Sequence, residues 1–392
     1  MLIKKVLMDK ANRLYQMPPS LLAFAETRDK QILRSRASII DLASFDWPVS
    51  FSNDQELGLD SLKAASAEQI NHLKEELSVW LSKRHGCKTI SVNEIHIGGR
   101  VSALLHQLAL AYLDTGDVAF VPGLGIPLYR TVVTACDAEA IGYAISARNE
   151  WLPSYDRLST RLGRVARLLF LNSPHNPTGA QLTEKEMTEL AWMAGRENVL
   201  LVNDAAYAGI PKRAPVSLLS VKGGRRVGVD LYSFSYLLGL PPLPFGFAVG
   251  GKDVIGGLKT AARLMPTYIP KLFVELALEG LRPSPEESIS PVRDTITKTS
   301  AKAEGLLELL GLKSMGYGEI PFLWAKTEKR SSSVNLARLL LRRYRILTVP
   351  GTAFGENGAG FLRFSLLTGP EVYTEAEKRV GKRSVLRPKV KK

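Results

Sequence analysis

The stretch Leu168-Leu-Phe-Leu-Asn-Ser-Pro-His-Asn-Pro-Thr-Gly179 decides the fold. Its first four residues form an uninterrupted apolar run, short enough for a strand buried on both faces, and a loop of Pro, Asn and Gly stops it. Thr183 with Glu186 three residues later forms a capping box, which predicts a helix through about Arg196. Val199 to Val202 then reads as a second buried strand with Asp204 just past its end. Strand, loop, helix and strand in that order make a βαβ unit. Upstream, Val101 to Leu113 is apolar at helical spacing, stops at Gly116, and leads into a further strand-like run, Val118 to Val121. The expected class is α/β with a mostly parallel central sheet. Polar groups in such sheets gather at the carboxyl ends of strands, so chemistry is expected in the loops after Leu171, Val202 and Leu231.

After Gly280 the texture changes. Pro283, Pro285 and Pro291 precede a long helical stretch. A strand (Phe322 to Ala325), a helix (Val334 to Tyr344) and two more strands, around Ile346 to Val349 and Phe361 to Ser365, predict a smaller α+β domain.

The 392 residues are 45% hydrophobic and 23% charged, as expected of a packed soluble chain of enzyme size rather than a disordered or coiled-coil one. Cys87 and Cys136 are the only cysteines, which argues against a disulfide framework or a cysteine-based zinc site. The five histidines show no metal-ligand spacing, so no metal is expected. No apolar run approaches the ~18 residues of a membrane span, and Met1 to Lys10 is too short in apolar residues for a signal-peptide core. A cytoplasmic location is expected. The net charge is +14, but Lys378 to Lys392 alone holds eight Lys or Arg and no acid. That tail has no interleaved aromatic side chains for base stacking, so it reads as a solvated end and not as a nucleic-acid arm.

The loop Asn172-Ser-Pro-His-Asn-Pro-Thr-Gly179 resembles the Asn-Pro-Thr-Gly loop of class I/II aminotransferases, fold-type I enzymes dependent on pyridoxal phosphate. Further landmarks follow in the family's order: Asp204-Ala-Ala-Tyr207, Ser233-Phe-Ser-Tyr236, Gly246-Phe-Ala-Val-Gly250, Val349-Pro-Gly-Thr-Ala-Phe354 and Gly360-Phe-Leu-Arg363-Phe-Ser. Met17-Pro-Pro, Ile40-Asp-Leu and Gly116-Asp-Val also sit where members similar to LL-diaminopimelate aminotransferase have such segments. The resemblance covers about residues 12 to 380. It implies an aspartate aminotransferase-like architecture: an N-terminal arm (1–48) joining a small C-terminal domain (285–380), a large domain (49–284), and a basic tail (381–392). It also implies a homodimer with its sites at the subunit interface.

The resemblance assigns roles residue by residue. Asp204 matches the carboxylate that keeps the cofactor's ring nitrogen protonated. Asn176 and Tyr207 match the groups that bond the ring hydroxyl. Arg363, with Asn176, matches the grip on the substrate α-carboxylate, so a small amino or keto acid is the implied ligand. Ser233, Ser235 and the amides of Gly99, Arg100 and Val101 at a helix start match the phosphate cradle. His175, within the loop, reads as structural.

The sequence also departs from the family at defined points. The Schiff-base lysine that follows the Ser-Phe-Ser segment is replaced by Tyr236, and a phenol forms no Schiff base. Eight residues on, the phosphate-pairing arginine corresponds to Pro244. The aromatic residue that stacks on the ring corresponds to Ile126, and a glycine-rich segment lining the substrate site reads Ala43-Ser-Phe45. The expectation is therefore an aminotransferase-like protein defective in conventional transamination, a pseudoenzyme in that sense. Pyridoxal or pyridoxamine phosphate is then either held noncovalently or lost. Two other readings remain open: a noncatalytic regulatory or scaffold homodimer, and a lysine-independent enzyme using Tyr236 or His175 as proton carrier.

Overall fold

The computed structural model describes residues 13, 39–43, 59–153, 166–240, 243–282, 284–316, 319–327 and 332–381. Met17-Pro-Pro, Ser44, Phe45 and tail residues 382–392 lie outside them.

A two-residue strand, β1 (Ile40–Asp41), precedes the seven that build the central sheet. These are β2 (Ile95–Gly98), β3 (Val118–Pro122), β4 (Glu139–Tyr143), β5 (Ala166–Asn172), β6 (Leu200–Asp204), β7 (Gly228–Ser233) and β8 (Gly246–Gly250). Their order is β2-β8-β7-β6-β5-β3-β4, and only β8 runs against its neighbours. Asn172 stands opposite Asp204, Asp204 opposite Leu231, and Gly246 opposite both Ser233 and Gly98. One edge of the sheet thus collects the strand ends that the sequence marks for chemistry.

The apolar run of β5 is continuous because both its faces are covered. Leu168 and Phe170 pack into a core beneath α2 (Val101–Tyr112), while Leu169 and Leu171 pack into another beneath α4 (Glu184–Glu197). Burying each such side chain contributes about 1.5–3 kcal/mol relative to leaving it exposed. Helix α4 starts at the capping box read from the sequence, with Thr183 Oγ1 accepting from the Glu186 amide and Glu186 reaching back. Asn198, in the left-handed conformation (φ 56°), ends it.

A second, antiparallel sheet has the order β12-β13-β10-β9, from β9 (Leu312–Ser314), β10 (Phe322–Thr327), β12 (Val349–Pro350) and β13 (Phe361–Ser365). The predicted strand at Ile346 to Val349 is two short ones, because its halves have different partners. β11 (Ile346–Leu347) pairs in parallel with β1, and β12 pairs with β13. The predicted helix at Val334 to Tyr344 is α-helical over Ser333–Leu339 and π-helical over Leu340–Tyr344. Among the described residues no helix is long and apolar enough to cross a membrane.

Candidate cofactor site

The loop leaving β5 is held by its own side chains. Asn172 donates Nδ2 to the carbonyls of Asp204 (2.8 Å) and Pro174 (3.0 Å), and its Oδ1 accepts from the Asn176 amide (2.8 Å). The peptides before Pro174 and Pro177 are cis. His175 is buried, with Nε2 2.9 Å from the Leu124 carbonyl and Nδ1 2.7 Å from the Thr178 hydroxyl. A carbonyl only accepts, so Nε2 carries the proton and Nδ1 accepts from Thr178. Burial pushes the imidazole pKa down to about 4, keeping it neutral. His175 is therefore a strut between two loops, as its sequence context suggests.

Asp204, at the end of β6, is 3% exposed. Its Oδ2 accepts from Tyr129 Oη (2.8 Å) and its Oδ1 from the Ala206 amide (3.1 Å). A carboxylate offers about four acceptor sites, so two donors leave capacity. Burial pushes its pKa up to about 6, against the opposing pull of those hydrogen bonds. Beside it, Asn176 donates Nδ2 to Tyr207 Oη (3.0 Å), and Arg363 donates Nη1 to Asn176 Oδ1 (3.4 Å). Arg363 also donates Nη2 to the Ala43 carbonyl (2.8 Å), with its guanidinium 4.1 Å over the Phe322 ring and 5.3 Å from Phe354. Burial lowers its pKa to about 10, which leaves it charged at neutral pH. Residues from β13 and from the loops after β5 and β6, up to 187 positions apart, thus meet in one polar chain.

Ser233 ends β7 opposite Gly246, which is also opposite Gly98 and therefore next to the start of α2. A Cβ on Gly246 would lie 2.7 Å from the Tyr232 carbonyl and 3.0 Å from that of Gly99, so only glycine permits this approach. α2 begins without a side-chain cap, leaving amides of its first turn, around Arg100 and Val101, for another acceptor. The Arg100 side chain itself is exposed. Ser235 is buried in the short helix α5 (Phe234–Leu238). Tyr236, on the same helix, packs its ring 4.8 Å from Tyr207. The loop after Tyr207 passes close by, since a Gly209 Cβ would lie 2.3 Å from the Tyr236 carbonyl. Pro244 is exposed, and Ile126 is half-buried beside the Leu124 turn that His175 holds.

A family model described as aminotransferase class I and II matches residues 61–379. The chain belongs to that family. It is 28% identical over 393 residues to LL-diaminopimelate aminotransferase of Halothermothrix orenii, covering 95% of this chain and 98% of the relative. It is 24% identical over 388 residues to LL-diaminopimelate aminotransferase 2 of a Nostoc species, with the same shares covered. Among solved structures, substrate-bound BacF from Bacillus subtilis superposes with a TM-score of 0.86 at 23% identity, over 97% of this chain and 100% of that one. Aspartate aminotransferase from Thermotoga maritima gives 0.79 at 20% identity, over 95% and 99%. The fold is the aspartate aminotransferase-like, fold-type I α/β architecture.

The family depends on pyridoxal phosphate, which is accordingly the cofactor expected. The polar half of the site fits it. Asp204 is a desolvated carboxylate whose hydrogen-bond donors are neutral, and a protonated ring nitrogen would supply the missing cation. Tyr129 and Asn172 were not picked out as site residues from the sequence. A tyrosine at helical spacing from Val132 and Val133, on the apolar face of Leu128–Ala135, is the signal that could have found the first.

Proposed function

We propose that this aminotransferase-family chain binds pyridoxal phosphate, pyridoxamine phosphate or a preformed amino-acid adduct noncovalently, and is defective in conventional transamination. What supports this reading is Tyr236, which the sequence resemblance aligns with the family's Schiff-base lysine and whose ring packs on Tyr207. Asp204 holds the ring-nitrogen proton, Asn176 and Tyr207 orient the ring hydroxyl, and Arg363 receives an α-carboxylate in a bidentate pair. Ser233, Ser235 and the amides at the start of α2 take the phosphate. The cofactor's contribution there is an electron sink. Pro244 in place of an arginine weakens the phosphate grip by roughly 1.5–3 kcal/mol, about one to two decades of affinity.

The proposal includes a homodimer in the cytoplasm. Leu110 on α2 and Leu264 and Met265 at the end of α6 (Lys252–Leu264) are exposed on two helices that pack together, an apolar surface suited to a second copy. The free thiols of Cys87 and Cys136 suit a reducing compartment. The same surface favours the second reading, a noncatalytic scaffold. Titration of the purified protein with both cofactor forms, followed by absorbance and heat, tests the proposal. Saturable binding is expected, one to two decades weaker in Asp204→Ala, with no pyridoxyl adduct after borohydride reduction. A pyridoxyl-lysine peptide from the wild-type chain would overturn it, as would cofactor binding indifferent to Asp204.

A further inference from the structure

The amino edge of the central sheet, on the side away from Asp204, contains a cavity of about 320 Å³. Arg167 on β5, Asn198 at the end of α4, Arg226 and Val227 just before β7, and Tyr112 at the end of α2 line it. None of the described residues in its wall is acidic. Arg167 engages Asp117 only through Nε, at 3.4 Å. Among the described residues none pairs with the Arg226 guanidinium, whereas its neighbour Arg225 is taken by Glu94 at 2.6 Å. One guanidinium paired through a single nitrogen and one unpaired guanidinium therefore face a concavity with no acid in its wall. The carboxyl end of α4 favours a cation nearby, but it offers only about half a negative charge.

The glycine on this wall points the same way. Gly195 lies in the last turn of α4, where glycine costs about 1 kcal/mol relative to alanine. A Cβ there would lie 3.0 Å from Arg226 Nη2 and 3.4 Å from Val227, so glycine leaves the guanidinium room against the helix. The Tyr112 hydroxyl is committed to the Val254 carbonyl (3.0 Å), which fixes its ring as a flat wall.

We propose that this cavity binds an organic phosphate, with the phosphate between Arg167 and Arg226 and a flat apolar portion against Tyr112 and Val227. Guanidinium forks match phosphate oxygens geometrically, and the volume is at the lower end of small-molecule sites. The site is separate from the cofactor site and independent of the reading given to it.

Phenyl phosphate is the probe, titrated calorimetrically against the full chain. The wild type is expected to bind it saturably, Arg226→Met and Arg167→Met to weaken that binding at least tenfold each, and Ser233→Ala, at the opposite edge, to leave it unchanged. Both arginines are surface side chains, and circular dichroism confirms that the variants remain folded. Absence of saturable binding in the wild type overturns the proposal. So does binding that survives both arginine variants, or binding abolished by Ser233→Ala, which would place the ligand at the cofactor's phosphate cradle.

Discussion

Asp204 and Asp230 stand on adjacent strands of one sheet, both fully buried from charge-stabilising water and both pushed up to about 6 by that burial. Their surroundings differ. Asp230, within β7, accepts from Asn203 Nδ2 (2.6 Å), Ser217 Oγ (2.5 Å) and the Leu218 amide (3.0 Å), and ties the loop at 217–219 to the sheet. Asp204, at the strand end, accepts from two groups and retains room for a third. A perturbed carboxyl is therefore not by itself a functional one. Unused acceptor capacity, at the edge where Asn176, Tyr207 and Arg363 converge, is what separates the two.

The widest separation is expected in stability. Asp230→Ala strands a buried amide, a hydroxyl and a backbone N–H, and is expected to cost about 3 kcal/mol or more in urea unfolding. Asp204→Ala strands fewer donors and is expected to cost about 1–2 kcal/mol while removing most cofactor affinity. Equal losses would erase the distinction.

The next contrast is in pH. Because each carboxyl's folded pKa, about 6, lies above the ordinary 3.8, protonation favours the folded state. The stability linked to each is full below about pH 4 and is lost as pH rises through about 6. Asp204→Asn is expected to remove its share of that slope in denaturation curves taken from pH 4 to 7. A protonated ring nitrogen favours the ionised carboxylate, so pyridoxamine phosphate affinity is expected to fall as pH drops below about 6. A flat affinity profile would separate Asp204 from the cofactor.

The smallest effect belongs to Tyr129. Its hydrogen bond opposes the rise of the Asp204 pKa. Tyr129→Phe is expected to move the pH midpoint of pyridoxamine phosphate binding upward by less than one unit, about 1 kcal/mol. An unmoved midpoint would mean that Tyr129 serves packing alone.

Much of this was legible along the chain. The apolar run at Leu168, the capping box at Thr183 and the strand before Asp204 each depend on neighbours within a few residues, and the structure has them where the sequence puts them. Asn176, Asp204, Tyr207 and Arg363 were readable as a set because they sit in spaced landmarks; Asn176 bonds Tyr207 and Arg363, and Asn172 ties the Asn176 amide to the Asp204 carbonyl. Tyr129 was not readable, since its hydroxyl finds Asp204 across 75 positions. Asp230 interrupts an apolar strand, which marks it as buried but does not say by what it is satisfied. The split at Thr348 was hidden for the same reason, because strand partners are chosen in space.

The sequence by itself determined the α/β class, the family landmarks and the tyrosine at position 236, because residue type and local periodicity specify burial and secondary structure. The tertiary structure alone decided which buried carboxylate keeps acceptor capacity, that His175 is a neutral strut, and that Arg167 and Arg226 face one cavity. Those outcomes depend on distances between strands and helices remote in the chain, and packing sets such distances.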